Sequence, residues 1–221
     1  MTPPVDRPGT RRRLVILRHG LTDHNAAGIW QGHLDSELNA AGLAQAEAAA
    51  EAIAAYEPDL VVSSDLQRAR VTAETVVRSM PGRELRIDPR LREVHVGQWQ
   101  GLSPEQMLEL FPEAADLMAR GEDFRRGGDG ETYGELGDRA GAAVRDLLED
   151  LPDGGTALVV THGVTTRVVT GDLLGLDRVA SWTMLSGLGN CHWAELGQYG
   201  DVWRLHGWNL RAGFGRTAAV G

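Results

Sequence analysis

Three apolar runs rich in β-branched residues, each followed by a segment of helical pattern, constrain the fold of this chain most strongly. The runs are RLVILRH (13–19), DLVVSS (59–64) and TALVVTH (156–162). Short continuous apolar runs of this kind are typical of strands buried on both faces of a parallel sheet. Because helical segments alternate with them, the sequence predicts an α/β sandwich built over a mostly parallel sheet.

The segments between the strands carry recognisable helix signals. Helices are predicted over residues 39–56, 66–80, 103–111, 132–151 and 163–175. Asn39 is placed as an N-cap, and Ser103 with Pro104 begins another helix. The glycine-rich segment 112–130 is expected to be a mobile loop. The alternating segments 191–196 and 201–208 predict a hairpin at one edge of the sheet.

The chain shows no linker, repeat or clear break in composition along its 221 residues. We therefore expect one domain over residues 13–210, with a cap-like insertion at about 97–131. Residues 1–12 are expected to form a disordered N-terminal tail, and residues 211–221 a C-terminal tail.

Charge and cysteine content argue against several classes of function. The net charge is −9, and the only basic run, Arg11–Arg13, lies beside the first strand, so nucleic-acid binding is not expected. The chain has no apolar run of membrane-spanning length and no apolar signal core at its N-terminus. Its single cysteine, Cys191, can form no intrachain disulfide and is expected to be a buried structural thiol. We therefore expect a cytoplasmic protein.

Each predicted parallel strand ends on polar residues: RHG, SSDLQRAR and THG. Ligands bind at the carboxyl ends of the strands in open parallel sheets, so Arg18, His19, Arg68 and His162 are expected to share one crevice if the three strands are neighbours. Guanidinium groups match phosphate oxygens, whereas a metal site would favour carboxylates or thiolates. The pattern predicts a metal-free phosphate pocket with a histidine nucleophile. The arginines should keep His19 neutral, and Gly20 lets the chain turn tightly behind it.

Four segments together resemble the histidine phosphatase superfamily, which has the phosphoglycerate mutase-like fold. They are LRHGLTDHN, VVSSDLQRARVTAE, LREVHVGQWQGL and VVTHG. The resemblance implies a three-layer sandwich with helices on both faces of the sheet. It also implies that His19 becomes phosphorylated, that Arg18, Arg68 and His162 hold the phosphoryl oxygens, and that Glu93 is a general acid and then a base toward water.

The resemblance also indicates candidate contacts to the rest of the substrate. Asn25 would lie near the entrance of the substrate pocket, and Gly163 matches a small residue of the family. The segments WQGHLDSELNAAG, MLSGLGNCHWAEL and VWRLHGWN are similar to those of the glucosyl-3-phosphoglycerate phosphatases within this superfamily. By that match Gln31 becomes a candidate substrate contact, and glucosyl-3-phosphoglycerate or a similar small phosphorylated metabolite becomes the expected substrate.

Several alternatives stay open at this stage. A cofactor-dependent phosphoglycerate mutase would return the phosphoryl group to its substrate, but LREVHVG and a short insertion look more like the phosphatase branch. A phosphatase of broad specificity, or one for a cobalamin intermediate or a sugar phosphate, fits the same pocket. A regulatory protein with a dead site is disfavoured because all five catalytic positions are present. No cofactor is expected, and a homodimer could form through the edge of the C-terminal hairpin.

Overall fold

A computed structural model describes residues 9–213, which form a six-stranded sheet in the order β3-β2-β4-β1-β5-β6. The strands are β1 (Arg12–Arg18), β2 (Leu60–Ser63), β3 (Leu85–Ile87), β4 (Thr156–Thr161), β5 (Trp193–Tyr199) and β6 (Val202–Leu210). Strands β1 to β4 run parallel to one another, β5 is antiparallel to its neighbour β1, and β6 is antiparallel to β5. The predicted mostly parallel sheet and the hairpin at its edge are confirmed.

Helices cover both faces of the sheet. They are α1 (Asp23–Ala26), α2 (Ala40–Ala54), α3 (Gln67–Val77), α4 (Pro104–Leu110), α5 (Glu113–Ala119), α6 (Tyr133–Asp150), α7 (Gly163–Leu173) and α8 (Arg178–Met184). Two short 3-10 turns lie at Pro89–Leu91 and Gly97–Trp99. No helix among residues 9–213 is long and apolar enough to cross a membrane.

The central strand β1 divides its side chains between two cores. Leu14 and Ile16 pack into the core beneath α6 and α7, while Val15 and Leu17 pack into the core beneath α2 and α3. This division follows from the two-residue period of a strand, because successive side chains point to opposite faces. A strand buried on both faces must be apolar throughout, which is why these runs do not alternate. The predicted three-layer sandwich is confirmed.

The predicted helix starts at Asn39 and Ser103 are confirmed by their hydrogen bonds. The Asn39 side chain accepts from the backbone of Gly42, and Ser103 forms a capping box with Gln106. Each cap satisfies an amide that has no partner inside the helix, which fixes where the helix begins.

The structure departs from the predictions in the insertion and at the ends of the chain. The segment 112–130, expected to be a mobile loop, contains α5 at Glu113–Ala119, because Ala114 is buried and Met118 packs against the core. The short helices α1 and α8 were not predicted. Strand β1 begins at Arg12, inside the expected N-terminal tail. Most of the two expected tails, residues 1–8 and 214–221, lies outside the described residues.

Candidate active site

The site lies where β1, β4 and β2 end side by side. In the register of the sheet Arg18 pairs with Thr161, and Val160 pairs with Ser63, so the residues that follow each strand meet at one edge. A cavity of about 250 Å³ opens there. It is lined by Arg18, His19, Asn25, Gly28, Ile29, Trp30, Gln31, Gly32, Arg68, Glu93, Val94, Val96, Pro104 and Val164. The expected convergence of the three strand ends is confirmed.

His19 is held in one tautomer at the floor of this cavity. Its Nδ1 lies 2.7 Å from the carbonyl oxygen of Gly20, which can only accept, so Nδ1 carries the proton and Nε2 keeps its lone pair. Burial, followed by the charges of Arg68 and Arg18, holds the pKa of His19 well below its ordinary value. The ring is therefore neutral at neutral pH, with a nucleophilic nitrogen available.

The turn after His19 depends on a close approach of two backbones. A Cβ on Gly20 would lie 2.5 Å from the carbonyl oxygen of Gly42 in α2, and a Cβ on Gly42 would lie 2.1 Å from the carbonyl oxygen of Leu21. Neither position has room for a side chain. The glycine that follows the histidine in the sequence is thus explained by the contact between this turn and α2.

Arg18 and Arg68 are fixed by carbonyl groups and keep part of their guanidinium groups free. Arg68 donates from Nη1 to Leu34 (2.6 Å) and from Nη2 to Gly32 (2.8 Å), and Arg18 donates from Nη1 to the carbonyl of Leu188. The Nε atoms of both arginines have no hydrogen-bond partner within the described chain. Burial lowers the pKa of Arg68 to about 10, so it remains charged at neutral pH. These donors suit the oxygens of a phosphoryl group.

His162 lies against His19, with ring centroids 5.1 Å apart. Its Nε2 is 2.9 Å from Oγ of Ser64, and this hydroxyl oxygen accepts from the backbone of Leu66 at 3.3 Å. When the hydroxyl donates to Nε2, the proton of the imidazole resides on Nδ1, which has no partner among residues 9–213. Burial, then Arg68, His19 and Arg18, lower the pKa of His162, so it is a neutral donor beside the nucleophile.

Glu93 reaches the cavity from the segment after β3 and is tied to the first turn of α7. Oε1 accepts from the amides of Val94 and Thr165 and from the hydroxyl of Thr165, each at 3.0 Å. Oε2 accepts only from the amide of Val164, at 3.1 Å. Oε2 therefore keeps a lone pair that can hold and release a proton, while Oε1 fixes the carboxyl group in place.

Asn25 and Gln31 line the cavity and share a hydrogen-bond network. Thr22 Oγ1 lies 3.1 Å from both Asn25 Oδ1 and Gln31 Oε1. Asn190, in the loop before β5, donates to Asn25 Oδ1 at 3.2 Å and to the carbonyl oxygen of His19 at 3.0 Å. Because donors surround Oδ1 of Asn25, its amide nitrogen is the atom left to face a ligand.

The remaining predicted site residue, Gly163, lies beside Arg18 rather than on the cavity wall. A Cβ at this position would be 3.5 Å from Nε of Arg18, an ordinary contact distance. The structure thus brings all eight predicted residues to one place, six on the cavity wall and two, His162 and Gly163, against its catalytic side chains. Their roles in substrate binding and catalysis stay predictions.

Three supporting residues were missed by the sequence reasoning. Thr22 is the N-cap of α1, and its position three residues before Asn25 was a usable local signal. Ser64 directly follows β2 and could have been counted among the strand-end residues. Asn190 reaches the site from far along the chain, and no local pattern marks it. Cys191 is buried with its pKa raised to about 12 by that burial, which agrees with an inert structural thiol.

The described part of the chain contains no cluster of three or more histidine, cysteine, aspartate or glutamate side chains that could hold a metal ion. The cations around the cavity are instead guanidinium groups. Arg18 and Arg68 lie in the cavity wall, and their charge acts directly on His19.

Comparisons with known proteins agree with this geometry. The sequence pattern of the histidine phosphatase superfamily (branch 1) matches residues 14–211. A glucosyl-3-phosphoglycerate phosphatase of Mycolicibacterium vanbaalenii is 39% identical, over 91% of this chain and 96% of the relative. A probable phosphoglycerate mutase of Serratia proteamaculans is 33% identical over 89% of each chain. The structure of a mycobacterial glucosyl-3-phosphoglycerate phosphatase with VO3 superposes with a TM-score of 0.83 at 39% identity, covering 90% of this chain and 99% of the other.

Proposed function

Because this chain belongs to the histidine phosphatase superfamily and is a phosphatase, we propose that it hydrolyses glucosyl-3-phosphoglycerate through a phosphohistidine on His19, without a metal or cofactor. The observation that carries the chemistry is the state of His19. Its Nδ1 proton is engaged by Gly20, its pKa is lowered first by burial and then by the two arginines, and its Nε2 is free. A neutral, oriented imidazole is the form that attacks phosphorus.

In the first step Nε2 of His19 forms a bond to phosphorus, and the bond from phosphorus to the ester oxygen breaks. Arg18, Arg68 and His162 hold the non-bridging oxygens with the donors left free in the structure. Charge spreads over these oxygens in the transition state, so donors fixed beforehand lower the barrier most effectively. Glu93 gives its proton to the departing ester oxygen.

In the second step water attacks the phosphohistidine and Glu93 accepts the proton that the water loses. The bond from phosphorus to Nε2 breaks, inorganic phosphate is formed and His19 is restored. The same carboxyl group serves both steps because it leaves the first one deprotonated. Its anchoring on the amides of Val164 and Thr165 supports this double role by keeping Oε2 in place.

The substrate assignment is supported by the loop at 185–190, which belongs to one of the segments similar to glucosyl-3-phosphoglycerate phosphatases. Leu188 of this loop binds Arg18, and Asn190 binds Asn25 and the backbone of His19. This segment therefore holds the wall of the site rather than a distant surface. Gln31, from another of these segments, lies in the cavity wall as a proposed substrate contact.

The proposal also covers location and assembly. A cytoplasmic protein fits the single buried thiol. Strand β6 is one edge of the sheet and is nine residues long, so a second copy could pair with it to form a homodimer. Light scattering on the purified chain tests the dimer, and the mass of one chain would exclude it.

The test of function is phosphate release from a panel of substrates, measured with and without EDTA. The panel contains glucosyl-3-phosphoglycerate, mannosyl-3-phosphoglycerate, 3-phosphoglycerate, α-ribazole phosphate and p-nitrophenyl phosphate. We expect the highest kcat/KM for glucosyl-3-phosphoglycerate, no effect of EDTA, and no turnover by the variant His19→Ala. Similar low rates on every substrate would favour a broad phosphatase.

A second assay separates the hydrolase from the mutase. The protein is primed with 2,3-bisphosphoglycerate and given 3-phosphoglycerate, and both 2-phosphoglycerate and inorganic phosphate are measured. Formation of 2-phosphoglycerate without release of phosphate would identify a mutase and overturn the proposal. Activity remaining in His19→Ala would show that another group is the nucleophile.

A further inference from the structure

Arg167 is a cation beside the catalytic centre that the proposed mechanism does not use. It lies in α7, three residues after Val164, so both side chains are on the same side of the helix, and Val164 lines the cavity. The guanidinium carbon of Arg167 lies 4.0 Å from the centroid of the Trp182 ring. Trp182 in turn stacks on Tyr133, with centroids 4.6 Å apart and planes inclined by 25°. These two rings form an aromatic shelf, and the guanidinium of Arg167 lies over its Trp182 side.

Arg167 differs from the nearby Arg126 and Arg178 because it forms no salt bridge among residues 9–213. Arg126 pairs with Asp123, and Arg178 pairs with Asp172. Within residues 9–213 Arg167 makes no hydrogen bond and no ion pair, and its guanidinium lies over the ring of Trp182. The five N–H donors of this half-buried guanidinium are not engaged by the described chain and are open to solvent, so an acceptor on a ligand can reach them. Donors of this kind are available to bind an anionic group of a ligand.

The position of Arg167 relates it to the leaving-group side of the reaction. Its Nη2 lies 3.7 Å from where a Cβ of Gly187 would be, and the next residue, Leu188, binds Arg18. Arg18 and Arg167 therefore flank the same short loop. The carboxylate of Glu93 acts on the charges of both guanidinium groups. Since Glu93 serves the ester oxygen in the proposed mechanism, its electrostatic interaction with Arg167 relates this side chain to the leaving-group side of the site.

We propose that Arg167 on its aromatic shelf binds a carboxylate of the substrate and so selects phosphomonoesters that carry an acid group close to the phosphate. This inference rests on the proposed function and specifies the substrate class of the same site. A planar guanidinium matches a carboxylate with two parallel hydrogen bonds, and one positive charge balances one carboxylate. A second phosphate would require a further cation, and the neighbouring Arg126 and Arg178 are already paired. In a phosphoglycerate the carboxylate lies a few bonds from the ester oxygen and belongs to the leaving group.

The test compares one substrate with and without the negative charge of its carboxylate. The substrates are glucosyl-3-phosphoglycerate and its carboxyl methyl ester, and the enzymes are the wild type, Arg167→Gln and Arg145→Gln. Arg145 is an exposed arginine of α6 and serves as the matched control. We expect esterification to lower kcat/KM of the wild type and of Arg145→Gln about 10- to 100-fold, the range for a hydrogen-bonded charge pair. In Arg167→Gln the acid and the ester should be turned over at rates within about twofold of each other.

Equal losses on the acid and the ester in Arg167→Gln would mean a structural role and would overturn the proposal. Fructose 1,6-bisphosphate is a further substrate that tests whether Arg167 binds a second phosphate. A loss of kcat/KM confined to this bisphosphate would assign Arg167 to that phosphate and would also overturn the proposal. Arg167→Lys is the second variant. It keeps the charge without the planar guanidinium group. Its loss of kcat/KM should be confined to the substrate with a free carboxylate and should be smaller than that of Arg167→Gln.

A binding measurement separates this inference from the proposed hydrolysis. His19→Ala, alone and combined with Arg167→Gln, is titrated calorimetrically with 3-phosphoglycerate and with glycerol 3-phosphate, which lacks the carboxylate. We expect 3-phosphoglycerate to bind more tightly only when Arg167 is present. That result together with no phosphate release by the wild type would refute the hydrolase but support the subsite. Phosphate release with equal affinity for both ligands would refute the subsite alone.

Discussion

Replacing Glu93 with glutamine keeps the shape of the side chain but removes its capacity to carry a proton to the leaving oxygen. Oε1 of Glu93 accepts three hydrogen bonds, from Val94 and from the amide and hydroxyl of Thr165, and Oε2 accepts one, from Val164. The amide oxygen of glutamine can replace Oε1 and keep all three. Its NH2 group then faces the amide of Val164, which loses its acceptor.

The expected loss of stability follows from that single unmatched donor. An N–H group left without its acceptor costs about 1–3 kcal/mol, and the lower end applies because Glu93 is only half-buried and water can reach the cavity. Urea unfolding monitored by circular dichroism should therefore show a lower midpoint with an unchanged slope. The variant stays folded, so its kinetics report on chemistry.

The expected kinetic effect depends on the leaving group. For an alkyl phosphate such as glucosyl-3-phosphoglycerate, kcat should fall about 100- to 10,000-fold, because proton transfer to a poor leaving group is lost. For p-nitrophenyl phosphate the leaving group departs as an anion, so formation of the phosphohistidine should remain fast. Its hydrolysis still requires the base, so stopped-flow absorbance should show a burst of nitrophenolate followed by a slow steady state.

Two outcomes would refute this account of Glu93. One is a kcat for the alkyl phosphate within about tenfold of the wild type, well short of the range for general acid catalysis. The other is the same decrease on both substrates with no burst, which would indicate a disturbed site rather than a missing proton. The control is Glu149→Gln, an exposed carboxylate of α6, which should change neither rate.

Three further changes test other parts of the structure. Gly42→Ala places a Cβ 2.1 Å from the carbonyl oxygen of Leu21, so urea titration should show unfolding free energy lowered by at least about 1–3 kcal/mol; a stability equal to wild type would show that this contact relaxes freely. Burial, followed by nearby cations, lowers the folded pKa of both His19 and His162, so the unfolded state binds more protons below its histidine pKa of about 6.5. The contribution of these two histidines to the unfolding free energy should thus be fully present above about pH 6.5. On acidification it should fall by about 1.4 kcal/mol per pH unit for each histidine, and His162→Gln should reduce this slope. An unchanged slope would contradict the assignment of His162 as a buried neutral histidine. Asn190→Leu removes the donor to the carbonyl of His19 and should lower kcat about tenfold, the effect of about 1.4 kcal/mol, with little loss of stability; unaltered kinetics would show that Asn190 does not position the nucleophile.

Much of the site could be predicted because its residues are attached to strong local signals. The apolar runs that end at His19 and His162 mark strands, and polar residues at the end of a buried strand have few structural reasons to be there. The helix caps Asn39 and Ser103 were equally local, since a cap is decided by a few neighbouring residues. The helix α5 was missed because glycine and charge dominate its surroundings, and only contact with the core stabilises it.

The sequence by itself determined which segments are buried strands, which residues stand at their ends, and what chemistry arginine and histidine can perform together. The tertiary structure decided the order of the strands, and that order places the residue after β4 between those after β1 and β2. It also decided the contacts of Asn190 with the nucleophile and the place of Arg167 against the Trp182 ring, where it forms no salt bridge with the described residues. The physical reason is range: periodicity and capping depend on adjacent residues, whereas these contacts join segments far apart in the chain and exist only after the cores have packed.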